Sequence, residues 1–211
     1  MESERSPARP VGRGAKVRAA VHAAALAELV DKGYAALTVE AVAQRAGVHK
    51  TTVYRRWGDR DALIGDALAG HMALDIPSPD TGAVETDLRA LARALVKSLT
   101  SPTGQAILAA MSTGAARLPE LAAARHHVFQ DRFARAAPVI TRAVERGELP
   151  VGTDPVALLQ TLAAPVYLRL LLTGDPVDEA TADQAARVAL AAALAGAFVP
   201  VLEEEGSGGR R

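Results

Sequence analysis

The chain contains no cysteine, which excludes disulfides and thiolate-ligated metals at the outset. Aromatics are scarce: one Trp, three Tyr and three Phe make up 3% of 211 residues. A core with so few large rings has to close through small aliphatic side chains, and alanine, the strongest helix former, is abundant. No segment alternates apolar and polar residues with the period of two that a half-buried strand needs, and no internal repeat is present. Signatures of common catalysts are missing as well. There is no glycine-rich phosphate loop, no Gly-x-Ser-x-Gly turn, no carboxylate pair at a telling spacing, and nothing that marks a cofactor. No charged-then-apolar leader opens the sequence. The most apolar stretch, 156–172, is interrupted by Gln160, Pro165 and Arg169 and is expected to be too short and too polar for a bilayer. These absences favour an all-α, cytoplasmic protein that is not an enzyme. The histidines do not change this. His126 and His127 diverge by about 100° on a helix, so both cannot readily hold one metal. His127 and Asp131 share a face, but two polar residues on a solvated helix are the commoner arrangement.

A net charge of zero hides an asymmetry. Residues 1–60 hold 11 Lys and Arg against 6 Asp and Glu, and residues 61–211 hold 13 against 18. A basic end suits a polyanion, while the acidic remainder has another task. Residues 1–14 form a Pro, Arg and Gly-rich basic arm, expected to be disordered alone, and 203–211 a loose tail. A first helix fits 16–32, with Gly33 placed to end it. "LTVEAVAQRAGV" (37–48) starts a second, capped by Thr38, with Glu40 in its first turn, Leu37 and Val42 as a hydrophobic staple and Gly47 as the stop. A tight turn leads into a third, 49–57, and Asp59 caps a fourth, 60–75. Two short helices joined by a Gly-containing turn form a helix-turn-helix. Its second helix carries "HKTTVYRRW", and with Arg60 this gathers Lys50, Arg55, Arg56 and Arg60 beside Tyr54 and Trp57. A core helix would not tolerate those cations, and a merely solvated one would not need the rings. In such a motif the second helix enters the major groove. Lys50, Thr51 and Thr52 then fall where base edges are read, and Tyr54, Arg56 and Arg60 where phosphates are held. Val53 points the other way, into the core, and Trp57 closes that core against the first helix. Beyond a Pro/Gly linker at 76–83, longer helices are expected at 84–100, 102–116, 119–146, 154–173 and 179–199, with Pro138 and Pro165 kinking or splitting the third and fourth of these.

"KGYAALTVEAVAQRAGVHKTTVYRRWGDRDAL" (32–63) resembles the DNA-binding domain of tetracycline-repressor (TetR)-type transcriptional regulators. The likeness covers about 50 residues, 15–65, in both spacing and residue type. It implies an N-terminal three-helix helix-turn-helix DNA-binding domain, 15–62, joined to a C-terminal helical ligand-binding and dimerisation domain, 63–202. It implies DNA contacts by Thr38, Lys50, Thr51, Thr52, Tyr54, Arg56 and Arg60 of this chain, with Arg55 and His49 beside them. His49 departs from the pattern, standing where the family usually has Ser as a helix cap. It is read as a tolerated, non-ideal cap.

The same resemblance implies a homodimer through the helices near 154–173 and 179–199. The stretch "QAARVALAAALAGAFV" (184–199) is apolar nearly all round, as a helix buried on several sides should be. It further implies a pocket for a small-molecule effector among the central helices. Candidate lining residues are Leu91, Leu95, Met111, Phe129, Phe133 and Tyr167, with Arg132 or Arg169 as the polar handle. An effector that favours a dimer geometry mismatched to the groove spacing would weaken DNA binding, making the chain a ligand-responsive repressor of a palindromic operator. The competing classes are an enzyme, for which no motif speaks, and an all-helical scaffold. A scaffold leaves the Thr, Tyr and Arg cluster at 50–60 without a purpose.

Overall fold

The computed structural model describes residues 12–74, 77–112 and 119–200, all helices and their connections. In chain order these are α1 (Arg13–Ala36), α2 (Val39–Ala46), α3 (Lys50–Trp57), α4 (Arg60–Leu74), α5 (Val84–Thr100), α6 (Pro102–Ser112), α7 (Pro119–Glu145), α8 (Pro155–Leu168), a π-helical turn (Arg169–Thr173) and α9 (Glu179–Leu194). No strand occurs among the described residues. Contacts group the chain into two compact units. One contains residues 1–74 and 102–125, the other residues 75–101 and 126–211. The division expected at residue 62 therefore falls inside α4, which packs along α1. Much of the basic arm and the loose tail lies outside the described residues. Helix α1 begins at Arg13, earlier than expected.

In the first unit, α1 packs against α2, α4 and α6, and α3 lies against α2 and α4. Val21, Ala24, Ala25 and Leu29 of α1 are buried, as are Leu37, Val42, Val53, Leu63 and Ala67. Both members of the expected staple, Leu37 and Val42, are thus in the core. Gly33 breaks the α-helical backbone with φ 73°, and one further turn, to Ala36, follows it. Glu28 is buried in α1. It pairs with Lys32 on its own helix at 2.7 Å and with Arg45 of α2 at 3.2 Å.

In the second unit, α5 and α8 both pack on α9. Arg93 of α5 grips Asp183 of α9 with two 2.8 Å hydrogen bonds. Asp154 caps α8, and Asp178 with Thr181 closes a capping box on α9. The fully buried Asp87 accepts from the Thr81 backbone and hydroxyl at 2.8 Å and faces Arg146 at 3.5 Å. It thereby ties the Pro/Gly linker to α5 and the end of α7. Pro138 does not split α7, which runs unbroken to Glu145. Pro138 and Ala134, whose carbonyl loses its partner to the missing N–H, are both exposed, on a side of the helix open to solvent. Pro165 likewise lies within α8, and the π turn follows it.

The π turn continues the apolar run of α8. With Leu170, Leu171 and Leu172 added, Pro155–Thr173 forms 19 residues of mean hydropathy 1.6, long and apolar enough to cross a membrane by length and composition. Only 28% of its apolar window is buried within the chain. Leu168, Leu171 and Leu172, with Val188 and Leu194 of α9, remain exposed.

Candidate nucleic-acid interface and apolar cavity

Local chemistry sets up α2 and α3. The Thr38 hydroxyl accepts from the Ala41 N–H at 3.2 Å, and Gly47 adopts the left-handed conformation that ends α2, its own N–H reaching back to α2 carbonyls. This turn aims α3. His49 occupies its N-cap position but makes no capping bond; Nδ1 lies 2.9 Å from the Thr51 hydroxyl instead. Asp59 caps α4 by accepting from the Ala62 N–H at 2.8 Å.

Val53 is 1% exposed and anchors the inner side of α3. The outer side presents Lys50, Thr51, Tyr54, Arg55 and Arg56, all exposed, with Thr52 half-buried. Thr38 is exposed at the start of α2. Glu40 stands between the two helices, 3.3 Å from the Tyr54 hydroxyl that donates to it and 4.0 Å from Lys50 Nζ. Desolvation, then the Glu40 charge, pushes the Tyr54 hydroxyl above its ordinary value. Arg56 lies 5.4 Å from the Trp57 ring centre and forms no ion pair among the described residues. Arg60 is more committed. It pairs with Asp61 at 2.9 Å and stacks 4.7 Å over the Tyr34 ring, whose hydroxyl donates to the same carboxylate at 2.8 Å.

The far end of α3 is held by a group the sequence did not single out. Asp66 of α4 accepts from Trp57 Nε1 at 2.8 Å, lies 2.8 Å from His22 Nε2, and pairs with Arg18 at 2.5 Å. His22 and Arg18 belong to α1, so one carboxylate joins three helices. Burial pushes this carboxyl up, but the hydrogen bonds from Trp57, Arg18 and His22 outweigh it and hold the pKa at about 2. A lone Asp in the apolar run of α4 carries no spacing signal; only the three-helix convergence reveals it.

Within the second unit, Leu91 and Leu95 of α5, Phe129, Arg132 and Phe133 of α7, and Tyr167 of α8 line one cavity of about 50 Å³. Pro77, Ala136, Leu159, Leu162 and Ala163 complete it and were not anticipated. Two anticipated residues stand elsewhere. Met111 is on α6, in the first unit. Arg169 is turned to the Pro176 carbonyl at 3.0 Å and the Thr181 hydroxyl at 3.2 Å, beside an open hollow shared with Thr161, Gln184 and Val188.

Residues 22–67 match the model for bacterial regulatory proteins of the tetR family, and residues 78–189 match the tetracyclin repressor-like C-terminal domain. The chain belongs to the TetR family. Among its relatives, an uncharacterized HTH-type transcriptional regulator, YdeS of Bacillus subtilis, is 33% identical over 85% of this chain and 88% of its own. The DNA-binding transcriptional repressor TetR of Mycobacteroides abscessus is 32% identical over 81% of this chain and 90% of its own. The crystal structure of the TetR family transcription regulator SCO0332 superimposes with a TM-score of 0.70 at 35% identity, covering 83% of this chain and 97% of the other. This TetR-family chain is a DNA-binding transcriptional regulator, and α2 with α3 form its helix-turn-helix.

Proposed function

We propose that this regulator is a ligand-responsive repressor that binds a palindromic operator as a homodimer in the cytoplasm. The observation that carries the reading is the exposed row Lys50, Thr51, Tyr54, Arg55 and Arg56 over buried Val53. The row places donors and cations outward on a helix whose inner side is fixed. Lys50, Thr51 and Thr52 read base edges; Thr38, Tyr54, Arg55, Arg56 and Arg60 hold phosphates, with His49 at the helix start beside them. The basic arm, 1–14, precedes the DNA-binding domain at 15–62, and 63–202 form the regulatory part.

Dimerisation is supported by exposed Leu168, by the exposed leucines Leu171 and Leu172 of the π turn and by Val188 and Leu194 of α9, apolar side chains that a second copy would remove from water. A regulator that works on DNA meets a second copy of itself there, not lipid. A two-fold dimer also matches a two-fold site, since one short helix reads few bases. The cavity of the second unit supports an effector: it is apolar, with two polar groups converging on it. An effector that prefers one dimer geometry by about 1–3 kcal/mol would release an operator several-fold to a hundredfold.

The division of labour on α3 is tested by titrating variants against operator and random duplexes. Arg56→Ala should weaken both by a similar factor and lower the salt slope by about 1. Thr51→Ala should lose affinity for the operator alone, about tenfold. Parallel behaviour of the two variants would refute the assignment.

A further inference from the structure

We propose that the effector is an apolar or aromatic monoanion whose carboxylate is held by Arg132, with the Tyr167 hydroxyl as second donor. This rests on the reading that the α5, α7 and α8 cavity is the effector site. Among the described residues, Arg132 is the one charged side chain lining it. It has no ion pair among the described residues, and the carboxylate next to it in sequence, Asp131, is engaged by Arg135 at 2.7 Å. The Tyr167 hydroxyl likewise has no hydrogen-bond partner among the described residues. Its ring meets Phe129 edge-on at 5.6 Å and 67°, and Phe129 lies 6.3 Å from Phe133. Burial pushes the Tyr167 hydroxyl up and the nearby Arg132 charge pulls it back, so at neutral pH it stays a donor.

A guanidinium against an apolar wall is costly until it is paired. Its planar fork matches a carboxylate with two parallel hydrogen bonds. One cation sets the ligand's charge. A dianion would leave one charge unbalanced, a cation would be repelled, and a neutral ligand would leave the guanidinium without a counter-charge. The remaining walls are aliphatic or aromatic, which fixes the body of the ligand. At about 50 Å³ the cavity is smaller than the ~150 Å³ void that admits benzene. Ring-sized ligands therefore require the lining side chains to repack.

The test is calorimetric titration of the full chain at neutral pH with 3-phenylpropionate, 1-naphthylacetate and decanoate, each against its primary carboxamide. The expected result is that an acid binds about tenfold to hundredfold more tightly than its amide, the range for a charge-assisted hydrogen bond. Arg132→Gln should abolish that preference, bringing the acid down to the affinity of its amide. Amides that match their acids in the unmodified chain, or a preference that survives Arg132→Gln, would overturn the monoanion and leave the cavity as a site for neutral ligands. Failure of both series to bind at millimolar concentration would overturn the monoanion and the effector-site reading together.

Discussion

Glu40 is the residue that most directly opposes the interface it belongs to. Its carboxylate sits within 4.0 Å of Lys50 and accepts from Tyr54, two groups assigned to DNA. In the free protein this occupies Lys50 and Tyr54, so under the proposed reading a base edge competes with it for Lys50 and a phosphate for Tyr54. The pair is exposed, so its net worth is about 0.2–1 kcal/mol. Glu40→Gln should accordingly tighten binding to random duplex by about two- to fivefold and steepen the salt dependence, as measured by fluorescence anisotropy across a salt series. Unchanged affinity and slope would mean that Glu40 points away from the bound DNA. His49 has a smaller part. Its ring engages Thr51 rather than the backbone of α3, consistent with a helix start that tolerates a weak cap.

At the scale of elements, the recognition helix owes its placement to its two ends. Gly47 turns the chain into it, and Asp66 fastens Trp57 at its end to α1. Asp66→Asn should destabilise the DNA-binding unit by about 2–3 kcal/mol, because three donors lose a charged acceptor. A pH series isolates the charge. The folded pKa of about 2 lies below the ordinary 3.8, so the stabilisation is complete above about pH 4. It fades as pH falls toward 2 and, discounted for the solvent screening of a partly exposed carboxylate, amounts to about 1 kcal/mol. Emission of Trp57, the single tryptophan, follows unfolding in both proteins. The variant should lack that loss between pH 4 and 2; an identical acid limb would show that Asp66 is not the group responsible.

The elements themselves were largely legible because their signals are local. Thr38, Gly47 and Asp59 act within a turn of their own positions, and each does in the structure what its sequence neighbours imply. The cavity was legible only in part. Leu91 with Leu95, and Phe129 with Arg132 and Phe133, were expected there from the family resemblance, and their spacing does put each set on one helix face. Met111 and Arg169 were equally plausible by composition. Their fates depend on packing across helices: α6 packs on α1, and the π turn carries Arg169 to Thr181. Asp66 and Glu28 were missed for the same reason, since a buried acid is recognised only through partners distant in sequence. Pro138 does not split α7, because a proline on an exposed side of a helix removes one backbone bond without ending it.

For the molecule as a whole, the acidic remainder and the basic end divide the work between a helical regulatory part and a DNA-binding part, matching the two family domains at 78–189 and 22–67. Exposed apolar residues of α8, the π turn and α9 are what the proposed dimer would cover, and a two-fold dimer would read a palindrome. The most direct measurement is selection of random duplexes by the purified full chain, with sequencing of what is retained. Enrichment of a palindrome with half-sites about one helical turn, ~34–36 Å, or a small multiple of it apart is the predicted result. Retention without any sequence preference, lost uniformly as salt is raised, would contradict a sequence-specific dimeric regulator.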